Sequence, residues 1–229
     1  MAKRLFDIVV SALGLIIFSP ILLAVALWVK LDSSGPVFYR GERTGKDDKP
    51  FRIFKFRSMV VNADKIGASS TSGDDRRVTR SGKFIRKFKI DELSQFINVL
   101  IGDMSMVGPR PEVKKFTDMY TAEEKRILDL RPGITDWASI WNSDEGRILE
   151  GLEDADAGYE KYIRPGKIQL QLRYRDNHSV GTDIKILMYT AIRIIKGDFY
   201  PKELADFPRL VPVREQLAVV SMPSEAVKS

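Results

Sequence analysis

The hydrophobic pattern divides the chain into one long apolar run and several short periodic segments. Ile8 to Val29 (IVVSALGLIIFSPILLAVALWV) carries no charge, and its 22 residues at about 1.5 Å each match a hydrocarbon core of roughly 30 Å. It predicts a membrane-embedded helical segment. Ser19-Pro20 stands near its middle, where proline lacks a backbone donor and crowds the preceding turn, so a kink or break is expected there. Lys3 and Arg4 precede the run, and Lys30, Arg40, Arg43, Lys46 and Lys49 follow it. The positive-inside tendency holds both flanks in the cytoplasm. That favours a re-entrant helix-break-helix hairpin, its freed carbonyls bonded by the Ser19 hydroxyl or by packing. A proline-kinked spanning helix stays open on these signals. A cleaved signal peptide is disfavoured, because Leu27-Trp28-Val29 continues the run past the formal Ala24-Val25-Ala26 site.

Beyond a turn cluster at Asp32-Ser33-Ser34-Gly35-Pro36, Val37 to Arg40 reads as a short strand. Gly45 to Pro50 is a polar turn, and Phe51 to Arg57 alternates apolar with mostly basic residues, giving a hairpin with one basic face. Gly67 to Arg80, rich in Ser, Thr, Gly and Asp, is expected to be a loop. Leu93, Phe96, Ile97, Leu100 and Ile101 fall at helical spacing, with Asp91 and Glu92 before them and Gly102 as a stop. A second stripe, Ile184, Leu187, Met188, Ala191, Ile192 and Ile195, is interleaved with Lys185, Arg193 and Lys196. It fits either a core-facing helix or one lying in the membrane plane. The expected fold class is α+β and predominantly helical. It comprises a membrane hairpin over 1–35, a cytoplasmic domain over 36–212 with a short β-hairpin and amphipathic helices, and a tail over 213–229.

Composition narrows the chemistry. The 229 residues include no Cys and one His, His178, which excludes disulfides, a thiolate nucleophile, iron–sulfur clusters, cysteine zinc sites and multi-histidine metal sites. Any metal is then a hard, oxygen-liganded ion. The formal charge is +6 and is unevenly placed: residues 1–100 carry 18 basic against 10 acidic side chains, and the remainder 19 against 21. A basic region beside an apolar one suits an anionic membrane surface or a phosphorylated ligand, although a merely solvated basic face has the same composition.

The sharpest constellation is Arg86-Lys87-Phe88-Lys89-Ile90-Asp91-Glu92, followed by Gly108-Pro109-Arg110-Pro111. A carboxylate in a first helical turn beside cations stays ionised and can attack phosphorus once the phosphate charge is neutralised. Glu92 offers an oxygen ligand for Mg²⁺, which usually binds through one or two carboxylates plus substrate phosphates. Arg110, framed by two prolines, suits bidentate contact with phosphate. Acids at a helix start are also ordinary caps, so spacing alone leaves both readings open.

With these motifs the chain resembles the bacterial sugar transferase family, the small monotopic phosphoglycosyl transferases. The likeness runs over residues 1–200 and rests on Ser19-Pro20, Phe54-Lys55-Phe56-Arg57-Ser58-Met59, Asp91-Glu92-Leu93-Ser94-Gln95, Asn98 through Glu112, and Arg131-Pro132-Gly133-Ile134-Thr135. The resemblance implies an enzyme of the bacterial cytoplasmic membrane with its catalytic domain on the cytoplasmic face and a helix broken at Ser19-Pro20. Such an enzyme moves a sugar-1-phosphate from a UDP-sugar to polyprenol phosphate (undecaprenyl phosphate) and releases UMP, the first membrane step of glycoconjugate assembly. By the same resemblance Asp91 is the nucleophile that forms a phosphosugar-aspartyl intermediate. Glu92 is its dyad partner and the Mg²⁺ ligand, with Asp91 a second candidate ligand and Mn²⁺ an alternative ion. Arg110, Arg86, Lys55 and Arg57 are phosphate-binding candidates, and Arg131, Trp137 and Arg147 are donor-binding candidates.

One segment departs from the pattern. Many relatives continue from Arg-Pro-Gly-Ile-Thr with Gly-Trp-Ala-Gln-Val-Asn-Gly-Arg, whereas this chain has Asp136-Trp137-Ala138-Ser139-Ile140-Trp141-Asn142-Ser143-Asp144-Glu145-Gly146-Arg147. Donor specificity is thereby open, and buried tryptophans at this spacing also serve as core. The competing function is a non-catalytic, membrane-anchored basic module that binds anionic lipid or nucleic acid, for which Asp91 and Glu92 would be dispensable. No nucleic-acid motif supports it, so no nucleic-acid partner is expected; a homodimer stays open.

Overall fold

The computed structural model describes residues 1–66, 70–72 and 75–214. The expected tail from residue 215 onward, and residues 67–69 and 73–74 of the expected loop, lie outside the described residues. Helix α1 (Ala2–Asp32) leads into strands β1 (Phe38–Tyr39), β2 (Glu42–Thr44), β3 (Pro50–Arg52) and β4 (Lys55–Phe56). Then follow α2 (Arg80–Lys87), a 3-10 segment at Ile90–Gln95, α3 (Phe96–Ile101) and β5 (Ser105–Val107). The second half contains α4 (Lys114–Thr117), α5 (Ala122–Lys125), β6 (Gly133–Thr135), α6 (Trp137–Trp141) and α7 (Glu145–Ile148), then α8 (Ala155–Gly158), α9 (Arg164–Asn177) and α10 (Val180–Ile195). The fold is predominantly helical, as expected.

Helix α1 is long and apolar enough to cross a membrane, and it runs through Pro20 as one helix, without the break that is one of the two outcomes, kink or break, expected there. The local reason is visible. Proline at position 20 leaves the Ile16 carbonyl without its usual amide donor, and the Ser19 hydroxyl donates to that carbonyl at 2.8 Å.

One face of α1 packs along the rest of the chain. Asp7, Ser11, Gly14, Val25 and Val29 are buried, with Val10, Phe18, Leu22 and Ala26 partly buried against the core, a spacing of three and four residues that keeps one side inward. The opposite face leaves Leu5, Leu13, Ile16, Ile17, Leu23, Leu27 and Leu31 exposed. Both ends are anchored by polar contacts. Near the start, Lys3 pairs with Asp183 at 2.6 Å, Arg4 donates to the carbonyls of Val99 and Leu100, and Asp7 accepts from the Ser105 hydroxyl and the Met106 amide. Near the end, Asp32 accepts from the Ser81 amide at 2.9 Å, and Arg57 donates to the carbonyls of Val29, Ser33 and Ser34.

The expected hairpin forms as two antiparallel ladders. β2 pairs with β3 in the register Arg43 opposite Phe51, and β1 pairs with β4 in the register Tyr39 opposite Lys55. The strand predicted over Phe51–Arg57 is split at Ile53-Phe54, because the Phe54 amide bonds the Asn98 side chain at 2.7 Å and leaves the ladder. A parallel pair, β5 with β6, was not expected; Ser105 lies opposite Gly133 and Val107 opposite Thr135. Each strand has only three residues, too few to display a period. The chains then cross so closely that a Cβ on Gly133 would lie 2.0 Å from the Gly108 nitrogen.

The main core joins α3, β5, α6, α9 and α10 through Val99, Met104, Val107, Ile140, Leu170, Tyr174 and Ile186. Of the stripe on α10, the structure leaves Ile184, Met188 and Ile195 exposed, so these residues face away from the core.

Candidate active site

The 3-10 segment places Asp91 and Glu92 beside β4 and the loop after β5. Lys89, just before the segment, adopts a left-handed conformation with φ of 57°, which turns the chain sharply out of α2. Asn98 fixes the geometry from the other side. Its side chain accepts from the Phe54 amide and donates to the Arg52 carbonyl at 3.0 Å, and Ser94 donates to the Phe54 carbonyl at 3.1 Å. The β3–β4 connection is therefore bonded to the start of α3, and Lys55 is carried over the dyad.

Lys55 Nζ lies 3.1 Å from Glu92 Oε1 and 3.5 Å from Asp91 Oδ2. Arg110 closes on Glu92 with both terminal nitrogens, Nη1 on Oε2 at 3.2 Å and Nη2 on Oε1. Asp91 is buried with 6% of its surface exposed. Burial opposes ionisation of Glu92, but the charges of Arg110 and then Lys55 outweigh it and hold the carboxyl well below the usual glutamate range. Arg110 is correspondingly pushed above its ordinary value by Glu92, against the opposing effect of burial. Lys89 donates to the Ser143 carbonyl, which ties the dyad segment to the stretch between α6 and α7.

Lys55 and Arg110 thus meet Asp91 and Glu92, and the other candidates lie elsewhere. Arg86 makes no hydrogen bond or ion pair with the dyad; its charge acts on Asp75. Arg57 serves the end of α1, as described. Arg131 donates to the Gly102 carbonyl at 2.9 Å, stapling the loop before β6 to the end of α3. Trp137 is a core residue, 7% exposed with its ring 6.1 Å from that of Tyr189. Arg147 is exposed on α7. Asn98 supports the site without having been named as a candidate in the sequence; the available signal was a polar residue at a core position of an apolar helix.

The bacterial sugar transferase family model matches residues 1–197. The chain belongs to the bacterial sugar transferase family. Among curated relatives it is 41% identical over 198 residues to "UDP-N-acetylgalactosamine-undecaprenyl-phosphate N-acetylgalactosaminephosphotransferase" of Aeromonas hydrophila, covering 85% of this chain and 44% of that protein. It is 41% identical to "UDP-glucose:undecaprenyl-phosphate glucose-1-phosphate transferase" of Escherichia coli (strain K12), covering 83% and 39%. It is 38% identical to "Uncharacterized sugar transferase EpsL" of Bacillus subtilis (strain 168), covering 86% and 88%. The chain therefore spans about two fifths of the first two relatives and most of the third. Family membership and the apolar α1 together make it a membrane-associated member of the family.

Among the described residues no group of three or more His, Cys, Asp and Glu side chains converges to hold a metal. Asp91 and Glu92 nonetheless suit a hard divalent ion, because Mg²⁺ needs only one or two carboxylates when phosphates complete its shell. The position between them already attracts a cation, the Lys55 ammonium.

Proposed function

We propose that the protein transfers a sugar-1-phosphate from a nucleoside diphosphate sugar, a UDP-sugar, to polyprenol phosphate and releases UMP. The observation that carries this reading is the grouping of Lys55 and Arg110 about the adjacent carboxylates of Asp91 and Glu92. The activities for which the Aeromonas hydrophila and Escherichia coli relatives are named support both substrate classes.

In the first step an Asp91 carboxylate oxygen attacks the β-phosphorus of the donor. The new oxygen–phosphorus bond replaces the one to the oxygen bridging the two phosphates, and UMP leaves with that electron pair. In the second, a phosphate oxygen of the polyprenol carrier attacks the same phosphorus and Asp91 departs as a carboxylate. Two displacements predict ping-pong kinetics. Arg110, held beside the dyad by Glu92, supplies positive charge that lowers the repulsion between the donor phosphates and the Asp91 carboxylate. Lys55 adds a second positive charge on the strand side. Glu92, aided by Asp91, would hold Mg²⁺, which when bound neutralises phosphate charge.

The membrane placement follows from α1. About 46 Å of helix, at 1.5 Å per residue, has both ends bonded to the same domain, an arrangement that supports a monotopic protein with α1 in one leaflet. In this reading the chain is re-entrant and bends at Ser19-Pro20, its exposed leucines and isoleucines face lipid, and both ends lie on the cytoplasmic side. The exposed stripe of α10, with Lys185 and Arg193, lies against the same surface.

The test is UMP release by detergent-solubilised protein with Mg²⁺, polyprenol phosphate and a panel of UDP-sugars, with Asp91→Asn and Glu92→Gln alongside. Turnover with one donor that Asp91→Asn abolishes is the expected result. Inactivity with every donor, or an Asp91→Asn variant equal to wild type, overturns the proposal in favour of a membrane-anchored binding module.

A further inference from the structure

The Pro109-Arg110-Pro111 tripeptide has a single amide donor, since neither proline carries an N–H. That donor, the Arg110 amide, is directed at a fully buried carboxylate, Asp136 Oδ2, at 3.2 Å. The other Asp136 oxygen is occupied by α6: Oδ1 accepts from the Ser139 amide and the Ser139 hydroxyl, each at 2.6 Å. Gln171, also fully buried on α9, completes the connection. Its Nε2 donates to Asp136 Oδ2 at 3.3 Å and to the Arg110 carbonyl at 3.4 Å. Both Nε2 partners are acceptors, so the amide orientation is set by them.

We propose that Asp136 and Gln171 are positioning residues that hold the Arg110 main chain on both its N–H and its C=O, and so keep the guanidinium in register with Glu92 and the donor phosphates. The proposal rests on the role given to Arg110 above. The guanidinium reaches the site on a flexible side chain from a loop between β5 and α4. Its aim depends on where the backbone begins, and a displacement of about 1 Å at a charged contact can cost about a hundredfold in rate. Two elements fix that origin together, because Asp136 belongs to the start of α6 and Gln171 to α9. In this chain's arrangement position 136 calls for a carboxylate, which accepts on both oxygens. An asparagine has one acceptor oxygen, which can serve either Ser139 or Arg110 and Gln171, never both.

The test uses the full-length protein in detergent, with Asp136→Asn, Gln171→Met and Arg110→Ala singly and in pairs. Amide exchange at Arg110 should accelerate about tenfold in Asp136→Asn, as for one lost hydrogen bond, while the α3 amides keep wild-type rates. With UDP-glucose or UDP-N-acetylgalactosamine as donor, Asp136→Asn and Gln171→Met should each lower kcat by about 10- to 100-fold with a smaller change in KM. In the Arg110→Ala background either substitution should add less than about twofold, since residues acting through one group are not additive. Unchanged exchange at Arg110, or losses that multiply with Arg110→Ala, would overturn the proposal. An Arg110→Ala variant with wild-type turnover would instead sink the role of Arg110 itself, and this proposal with it. Gln171→Met keeps the question decidable should Asp136→Asn fail to fold.

Discussion

Arg110 and Glu92 face each other across the site with two parallel nitrogen–oxygen contacts, although 18 residues and a helix separate them in sequence. The fork neutralises the carboxylate that sits beside Asp91, the proposed nucleophile. The pair is a stability element as well as part of the proposed chemistry.

Its pH dependence has a definite sign. The folded Glu92 carboxyl is held well below its ordinary value of 4.5, so its stabilising contribution is present above that pH and is lost as the pH falls through the lower folded value. Thermal unfolding in detergent between pH 7 and pH 3 should therefore show a decline below about pH 4.5 that is shallower in Glu92→Gln. Equal slopes in the two proteins would show that Arg110 does not hold the carboxyl in solution.

Glu112 accepts from both Lys167 and the Tyr159 hydroxyl, and Lys167 is 5% exposed. Burial opposes the charge on Glu112, yet Lys167 holds that carboxyl below its usual range. Lys167→Met strands a buried carboxylate and should destabilise the protein by about 3–5 kcal/mol. The double variant Glu112→Gln with Lys167→Met should recover part of that loss in chemical denaturation. A double variant less stable than Lys167→Met would contradict the pairing.

Arg57 caps the end of α1 through three carbonyls. Lysine cannot reproduce that fork, so Arg57→Lys should cost about 1–3 kcal/mol while leaving KM for the sugar donor unchanged. A raised KM with unaltered thermal stability would return Arg57 to the phosphate-binding set.

The absence of cysteine makes topology directly measurable. Single variants Ala2→Cys and Ser34→Cys, at the two ends of α1, should both react with an impermeant maleimide in inside-out vesicles and neither in intact spheroplasts. Reaction from opposite sides would establish a spanning helix.

Much of the site is legible along the chain because its chemistry is local. Asp91 and Glu92 are adjacent, Arg110 stands between two prolines, and Gly102, with φ of 100°, ends α3 where the pattern places a stop. The apolar length of α1 and its basic flanks are likewise one-dimensional facts, as is the exclusion of cysteine chemistry. Along α1 the Ser19 hydroxyl takes up the Ile16 carbonyl that Pro20 leaves free, and the β5–β6 pair was hidden because its strands are too short to carry a period. The division of the basic residues was tertiary too. Lys55 on β4 and Arg57 just after it lie two residues apart, yet the first meets the dyad and the second the end of α1. Sequence determines which charges and which apolar stretches exist; only packing determines which carboxylate or carbonyl each buried cation must answer, since desolvation leaves no cation without a partner at low cost.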